Sequence, residues 1–184
     1  TGFIDPEAWL VVVAGITDRA ILFCRAKHPE QEIWEGYRCG PDDAVARYGI
    51  DEAYATDELD TLMPALLLDQ PVLYRPFAAA VSVERRLRHW LAQAEQQGRG
   101  RRLTPGRIQD LRPILADMRV IKDASEIAAM RHAARISAGA HARAMRAARP
   151  GMHEYQLEAE LLYEFRRHGA QAPAYPSIVA AGAN

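Results

Sequence analysis

The fold of this chain is decided between Val120 and Asn184, where it reads VIKDASEIAAMRHAARISAGAHARAMRAARPGMHEYQLEAELLYEFRRHGAQAPAYPSIVAAGAN. Asp123 stands three residues before Glu126, so an Asp side chain can cap the first free N–H groups of a helix while Glu126 reaches back to the cap, and both acids suit the positive end of the helix dipole. A helix therefore starts here. Ile127, Met130, Ala134, Ala138, His141 and Met145 recur every three or four residues and form one narrow stripe flanked by Arg131, Arg135 and Arg143. Because the stripe is mostly alanine, it predicts close packing, against a sheet in preference to a thick leucine core. Arg149-Pro150-Gly151 stops the helix, since Pro150 disfavours helical geometry at Arg149 and Gly151 accepts a left-handed turn. A second helix is predicted from Glu154, with Leu157, Leu161, Leu162 and Phe165 on its apolar side and His168-Gly169 at its end. Tyr175-Pro176-Ser177 then opens a short β-like run, Ser177 to Ala181, that halts at Gly182.

Upstream, β-rich and helical patterns alternate, which predicts an α/β layer arrangement. Trp9 to Ala14 and Ala20 to Cys24 read as antiparallel strands joined by a turn at Gly15 to Asp18, so the sheet is mixed. His28 to Pro41 reads as irregular surface, followed by a short helix from Asp42-Asp43 to Tyr48-Gly49 and a strand over Glu52 to Ala55. Thr56 or Asp57 is expected to cap a helix carrying Leu59, Leu62, Met63, Leu66 and Leu67, which Pro64 should kink or shorten. Pro71 to Tyr74 is the next strand. Val83, Leu87, Trp90, Leu91 and Ala94 mark an amphipathic helix closed by Gln97-Gly98, and Arg99 to Arg102 is a polar turn. Pro113 suits the first turn of a short helix that runs into Arg119-Val120. The domain boundary is expected there, with residues 1–119 as one domain and 120–184 as the start of another, packed closely across a structured connector.

Composition limits the functions available. The chain has 184 residues, a formal charge of -1 and 49% hydrophobic residues, so it can bury a core and carries no general attraction for polyanions. No apolar run reaches the roughly 20 residues that span a bilayer. Neither nucleic acid nor a membrane is expected as a partner, and no targeting signal is legible. Two cysteines, Cys24 and Cys39, make no disulfide framework and no CxxC pair; they read as reduced, buried and cytosolic.

The titratable residues do not spell a catalytic site. His153-Glu154 lacks the second histidine of an HExxH pattern, and the six histidines have no metal-ligand spacing. Glu154, Glu158 and Glu160 could suggest hard-metal ligation, but Glu154 and Glu158 read as ordinary helix neighbours in the first turns, where negative charge is stabilising. Arg99, Arg101, Arg102 and Arg107, with Trp90 nearby in sequence, read as a solvated turn and not as a nucleic-acid site. Trp34, in a polar stretch next to Gly36, and Tyr175, ahead of Pro176, are the better candidates for lining a substrate, with Arg99 below them.

Lys122, Ser125-Glu126-Ile127, Arg149-Pro150-Gly151-Met152, Glu154, Glu158, Glu160, His168-Gly169, Tyr175 and Ser177-Ile178-Val179 with Gly182 and Asn184 resemble the opening of the pita-bread catalytic domain of Xaa-Pro aminopeptidases (aminopeptidase P). Thr1-Gly2-Phe3 and Glu32-Ile33-Trp34-Glu35-Gly36 extend the likeness towards the N-terminus. The resemblance implies a mixed-sheet creatinase-like α/β N-terminal domain, then the first helices and strand of an α+β pita-bread domain. It implies a metalloaminopeptidase that removes an N-terminal residue preceding proline, using two manganese ions, in a cytoplasmic homo-oligomer, a dimer or a tetramer. In such enzymes the N-terminal domain helps cover the active-site entrance and holds subunits together. The family's five metal ligands lie downstream of the segment matching Val179 to Asn184, so catalytic and metal residues are expected to be absent from this chain, and the chain alone to be inactive. A creatinase-type hydrolase and a non-catalytic relative that binds peptides or partners are the alternative readings.

Overall fold

Residues 2–180 and 182 are described by a computed structural model, in two compact units, Thr1–Leu115 and Ala116–Asn184. The first is built around a strand covered on both faces. β1 (Trp9–Val13) pairs antiparallel with β2 (Arg19–Cys24), Leu10 opposite Leu22, and Asp18 Oδ1 accepts the Gly15 N–H at 2.9 Å in the turn between them. β2 then pairs in parallel with β3 (Glu52–Ala55), so the sheet is mixed. Because side chains alternate along a strand, Ile21 and Phe23 enter one core while Leu22 and Cys24 enter another.

Two helices separate β2 from β3. The segment 28–41, expected to be irregular, contains α1 (Pro29–Glu35): Pro29 occupies the first helical position, where its missing N–H is harmless, and His28 Nδ1 accepts from the Gln31 N–H at 3.4 Å. α2 (Gly40–Tyr48) brings Ala44 onto Leu22, Cys24, Cys39 and Ile50 in the smaller core. Both cysteines are buried and free. After β3, Thr56–Glu58 forms a 3-10 turn in place of the expected Thr56 or Asp57 cap, and Glu58 Oε1 instead accepts the Ala55 N–H at 3.1 Å. α3 (Leu59–Leu67) follows and keeps Pro64 inside it, fully buried.

The larger core lies under α3 and α4 (Val81–Gly98). α4 buries Leu87, Trp90 and Ala94, the stripe legible in the sequence. Trp90 is 2% exposed, packs edge-on against Trp9 at 5.7 Å and donates its indole N–H to Asp60 Oδ1 at 2.7 Å. It is therefore no stacking platform beside the arginine turn. β4 (Val72–Arg75) pairs in parallel with β5 (Arg107–Asp110), a strand whose polar sequence RIQD gave no period-2 signal. α5 (Arg112–Val120) follows, and Lys122 Nζ donates to the Arg119 and Val120 carbonyls at its end, at 2.7 and 3.2 Å.

The second unit contains α6 (Ala124–Ala147) and α7 (Glu154–Arg167), packed on each other. The Asp123 cap forms as expected: Oδ1 accepts the Glu126 N–H at 2.8 Å and Glu126 Oε2 accepts the Asp123 N–H at 2.9 Å. Gly151 takes φ 87° just past the helix end. The packing face differs from the predicted stripe. Ala140 is buried and Ile136, Ala144 and Ala147 are half-buried on the same side, whereas Met130 and Met145 are 58% and 73% exposed. Alanine lets either face approach a neighbour, and on the covered side Arg143 pairs with Glu160 of α7 at 2.5 Å. Among the described residues, the partner of this face is the helix α7. No strand forms among the described residues of Ser177 to Ala180, because a strand exists only by pairing; Ala181 lies outside the described residues.

Candidate functional site

Trp34, Arg99 and Tyr175 are all at the surface, each on a different kind of support. Trp34 belongs to α1, a single short helix held down by charge. Arg38 reaches Glu35 Oε2 at 2.6 Å and Gln31 Oε1 at 2.5 Å, and Arg25 reaches the same Glu35 carboxylate at 3.4 Å. The Arg38 guanidinium holds the Glu35 carboxyl below its ordinary pKa. This bracing leaves the Trp34 ring 89% exposed beside Ile33 at 75%, and the indole has no partner among the described residues. An exposed indole has hydrophobic area and an N–H donor both unspent, which is the chemistry of a ligand or interface contact.

Arg99 ends α4 in the left-handed region, φ 48°, where a residue other than glycine is held only by its surroundings. Those surroundings are specific. The Arg101 and Arg102 N–H groups both donate to the Gly98 carbonyl, at 2.9 and 3.2 Å. Asp69, itself at φ 62°, donates its backbone N–H to the Leu103 carbonyl at 2.7 Å. Its carboxylate accepts from Arg102 Nε at 2.7 Å and from the Leu103 N–H at 3.2 Å. The Arg102 guanidinium, aided by the Leu103 N–H, holds the Asp69 carboxyl below its usual range. Arg99 and Arg101 are exposed and, among the described residues, pair with no carboxylate.

Tyr175 is 70% exposed in the irregular segment after α7. Two and four residues further on, Ser177 and Val179 line an open cleft of about 520 Å³ whose other wall is the start of α7, with His153, Tyr155 and Glu158. His153 and Tyr155 stack at 5.5 Å with an interplanar angle of 9°. Tyr175 does not line this cleft. Among the described residues, no three His, Cys, Asp or Glu side chains converge to hold a metal ion. Glu158 faces the cleft, Glu160 is bound to Arg143, and Glu164 is engaged by Arg143 at 3.8 Å and by His168 at 2.9 Å.

The latch at Asp69 was not legible in the sequence, because its partners lie 33 and 34 residues away in a segment without periodic signal. Of the described helices, none is long and apolar enough to cross a membrane.

Comparison with known proteins fits both units. The family described as aminopeptidase P, N-terminal domain matches residues 1–74, and metallopeptidase family M24 matches residues 128–184. The Xaa-Pro aminopeptidase of Escherichia coli strain K12 is 38% identical over 186 residues, covering 100% of this chain and 42% of the relative. That of Haemophilus influenzae is 35% identical over 185 residues, covering 100% and 40%. Among solved structures, Pseudomonas aeruginosa aminopeptidase PepP superposes with a TM-score of 0.91 at 42% identity, over 98% of this chain and 41% of that one. The chain thus spans about two fifths of the length of the relatives it matches. With an N-terminal α/β unit of the aminopeptidase P type followed by the first helices of an M24 metallopeptidase domain, this chain belongs to the aminopeptidase P family.

Proposed function

We propose that the intact protein is a manganese-dependent Xaa-Pro aminopeptidase, which hydrolyses the bond between an N-terminal residue and a following proline. The observation that carries this reading is the 38% identity to a named Xaa-Pro aminopeptidase along the whole of the chain. Membership of a metallopeptidase family implies divalent metal ions. When bound, such ions polarise a carbonyl and lower the pKa of a water molecule. The described residues do not assemble ligands for them, so no chemical step is assigned to this chain.

Its own residues are given a binding role. Trp34, Arg99 and Tyr175 face the peptide, supported by their exposure and by the absence, among the described residues, of partners for their polar groups. The exposed pair Ile33 and Trp34 also suits an interface between copies, in keeping with a cytoplasmic homo-oligomer, a dimer or a tetramer. The N-terminal domain is taken to end at residue 119 and the catalytic domain to begin at 120, a reading supported by the capped start of α6 at Asp123.

The test is hydrolysis of Xaa-Pro and Xaa-Ala peptides by the intact protein, stripped of metal and then resupplied with manganese. Turnover restricted to the proline peptides and restored by manganese is expected. Equal cleavage of both peptides, or none with metal restored, would overturn the reading.

A further inference from the structure

We propose that Asp69 is a positioning residue for the peptide-binding turn: it latches the segment 98–103 so that Arg99 is presented to the substrate. The proposal rests on the reading of Arg99 as peptide-facing. What it adds is the device that sets the geometry of that arginine.

The turn has little to hold it by itself. Arg99 adopts φ 48°, Gly100 follows at φ 70°, and two N–H groups share one carbonyl at Gly98. No apolar side chain from 99–103 enters either core, and Leu103 is 73% exposed. Against this, the connection between α3 and β4 contributes three bonds through one residue. The Asp69 N–H goes to the Leu103 carbonyl, Oδ1 takes the Leu103 N–H, and Oδ2 takes Arg102 Nε. One residue thus pins both the backbone and a side chain of the turn. Gly98 also lies close to Leu68, next to Asp69 in the chain: a Cβ there would be 3.3 Å from Leu68 Cδ2.

The latch is local. Asp69 and Arg102 side chains are 53% and 52% exposed, so the ion pair adds little to global stability while the backbone pairing fixes direction. Arg102 is consumed by the latch, whereas Arg99 is left unpaired on a fixed support. Guanidinium donors held in one direction suit carbonyl or carboxylate oxygens of a peptide, and fixing them beforehand reduces the entropy lost on binding.

The experiment uses the intact protein and four variants: Asp69→Ala, Arg102→Ala, Arg99→Ala and the double variant Asp69→Ala with Arg99→Ala. Two quantities are read, the rate of tryptic cleavage after Arg99 and Arg101 under native conditions, and KM and kcat on an Xaa-Pro peptide. Asp69→Ala is expected to accelerate cleavage and to raise KM about tenfold with kcat nearly unchanged, as for loss of one oriented contact. Arg102→Ala does the same to a smaller extent, and the double variant has the KM of Arg99→Ala alone. If Asp69→Ala opens the turn while KM stays at the wild-type value and Arg99→Ala still raises it, the positioning role is wrong and the role of Arg99 stands. If Arg99→Ala itself leaves KM unchanged, the reading of Arg99 fails, and the proposal with it.

Discussion

Trp90 donates its indole N–H to Asp60 Oδ1 at 2.7 Å, and the same oxygen takes Arg86 Nε at 3.1 Å, while the Arg86 guanidinium lies over the rings of both Trp9 and Trp90. A buried ring is thereby joined to a surface pair. The Trp90→Phe variant loses the hydrogen bond and part of the ring contact, at a cost of about 1–3 kcal/mol. Arg88→Ala, on the exposed side of α4, should stay within about 0.5 kcal/mol of wild type. Urea denaturation checks both through the midpoint, provided the slope is unchanged.

The reciprocal cap between Asp123 and Glu126 fixes where α6 starts. Asp123→Ala leaves the Glu126 N–H and the Ser125 hydroxyl without their acceptor and should lower the melting temperature by roughly 2–6 °C. Faster amide exchange confined to the first turn of α6 is the accompanying signature. A uniform change along the helix would mean that the cap does not act locally.

Acid should destabilise the first unit through its paired carboxylates. Arg112 beside Asp110 lowers that carboxyl to about 2, and Arg102 lowers Asp69 in the same direction. Both folded values lie below the unfolded ones. Their contribution is therefore complete above the ordinary carboxylate pKa of about 4 and is lost as pH falls from there towards 2. Asp110→Asn should flatten the fall in melting temperature across that window; an unchanged slope would show that the Arg112 contact is not maintained in solution.

Burial raises the Cys24 thiol to about 11, with smaller contributions from Cys39 and Asp5, and the Cys39 thiol is also raised by burial. Neither is a nucleophile near neutrality. Iodoacetamide at pH 8 should label both only after denaturant is added. A folded pKa above the unfolded one also means that Cys24 stabilises below about pH 9 and ceases to do so as pH rises towards 11. Prompt labelling of the native protein would contradict the packing of Leu22, Cys24, Cys39 and Ile50.

Manganese added to this 184-residue chain should leave its melting temperature unchanged, since a ligand stabilises only the state that binds it. Saturable stabilisation would reveal a metal site among residues such as Glu158, Glu164 and His168.

Local rules written in short stretches were enough for much of this chain. The reciprocal Asp123 cap, the stop at Arg149-Pro150-Gly151, the apolar stripe of α4 and the hairpin of β1 and β2 depend on residues close together in sequence, where steric and hydrogen-bonding preferences act without help. The motifs between Lys122 and Asn184 carried the family for the same reason. Other features were settled only by tertiary structure. The covered face of α6 was decided by its packing on α7, where Arg143 meets Glu160 17 residues away, because alanine made either face acceptable. β5 exists by pairing with β4, which its polar sequence could not announce. Trp90 and Trp34 are both tryptophans in helices, yet one is buried against Trp9 and the other is almost wholly exposed, since burial depends on what lies opposite a side chain. The turn after α4 is held by Asp69 through Arg102 and Leu103, 33 and 34 residues away, in connections that lead into the paired strands β4 and β5.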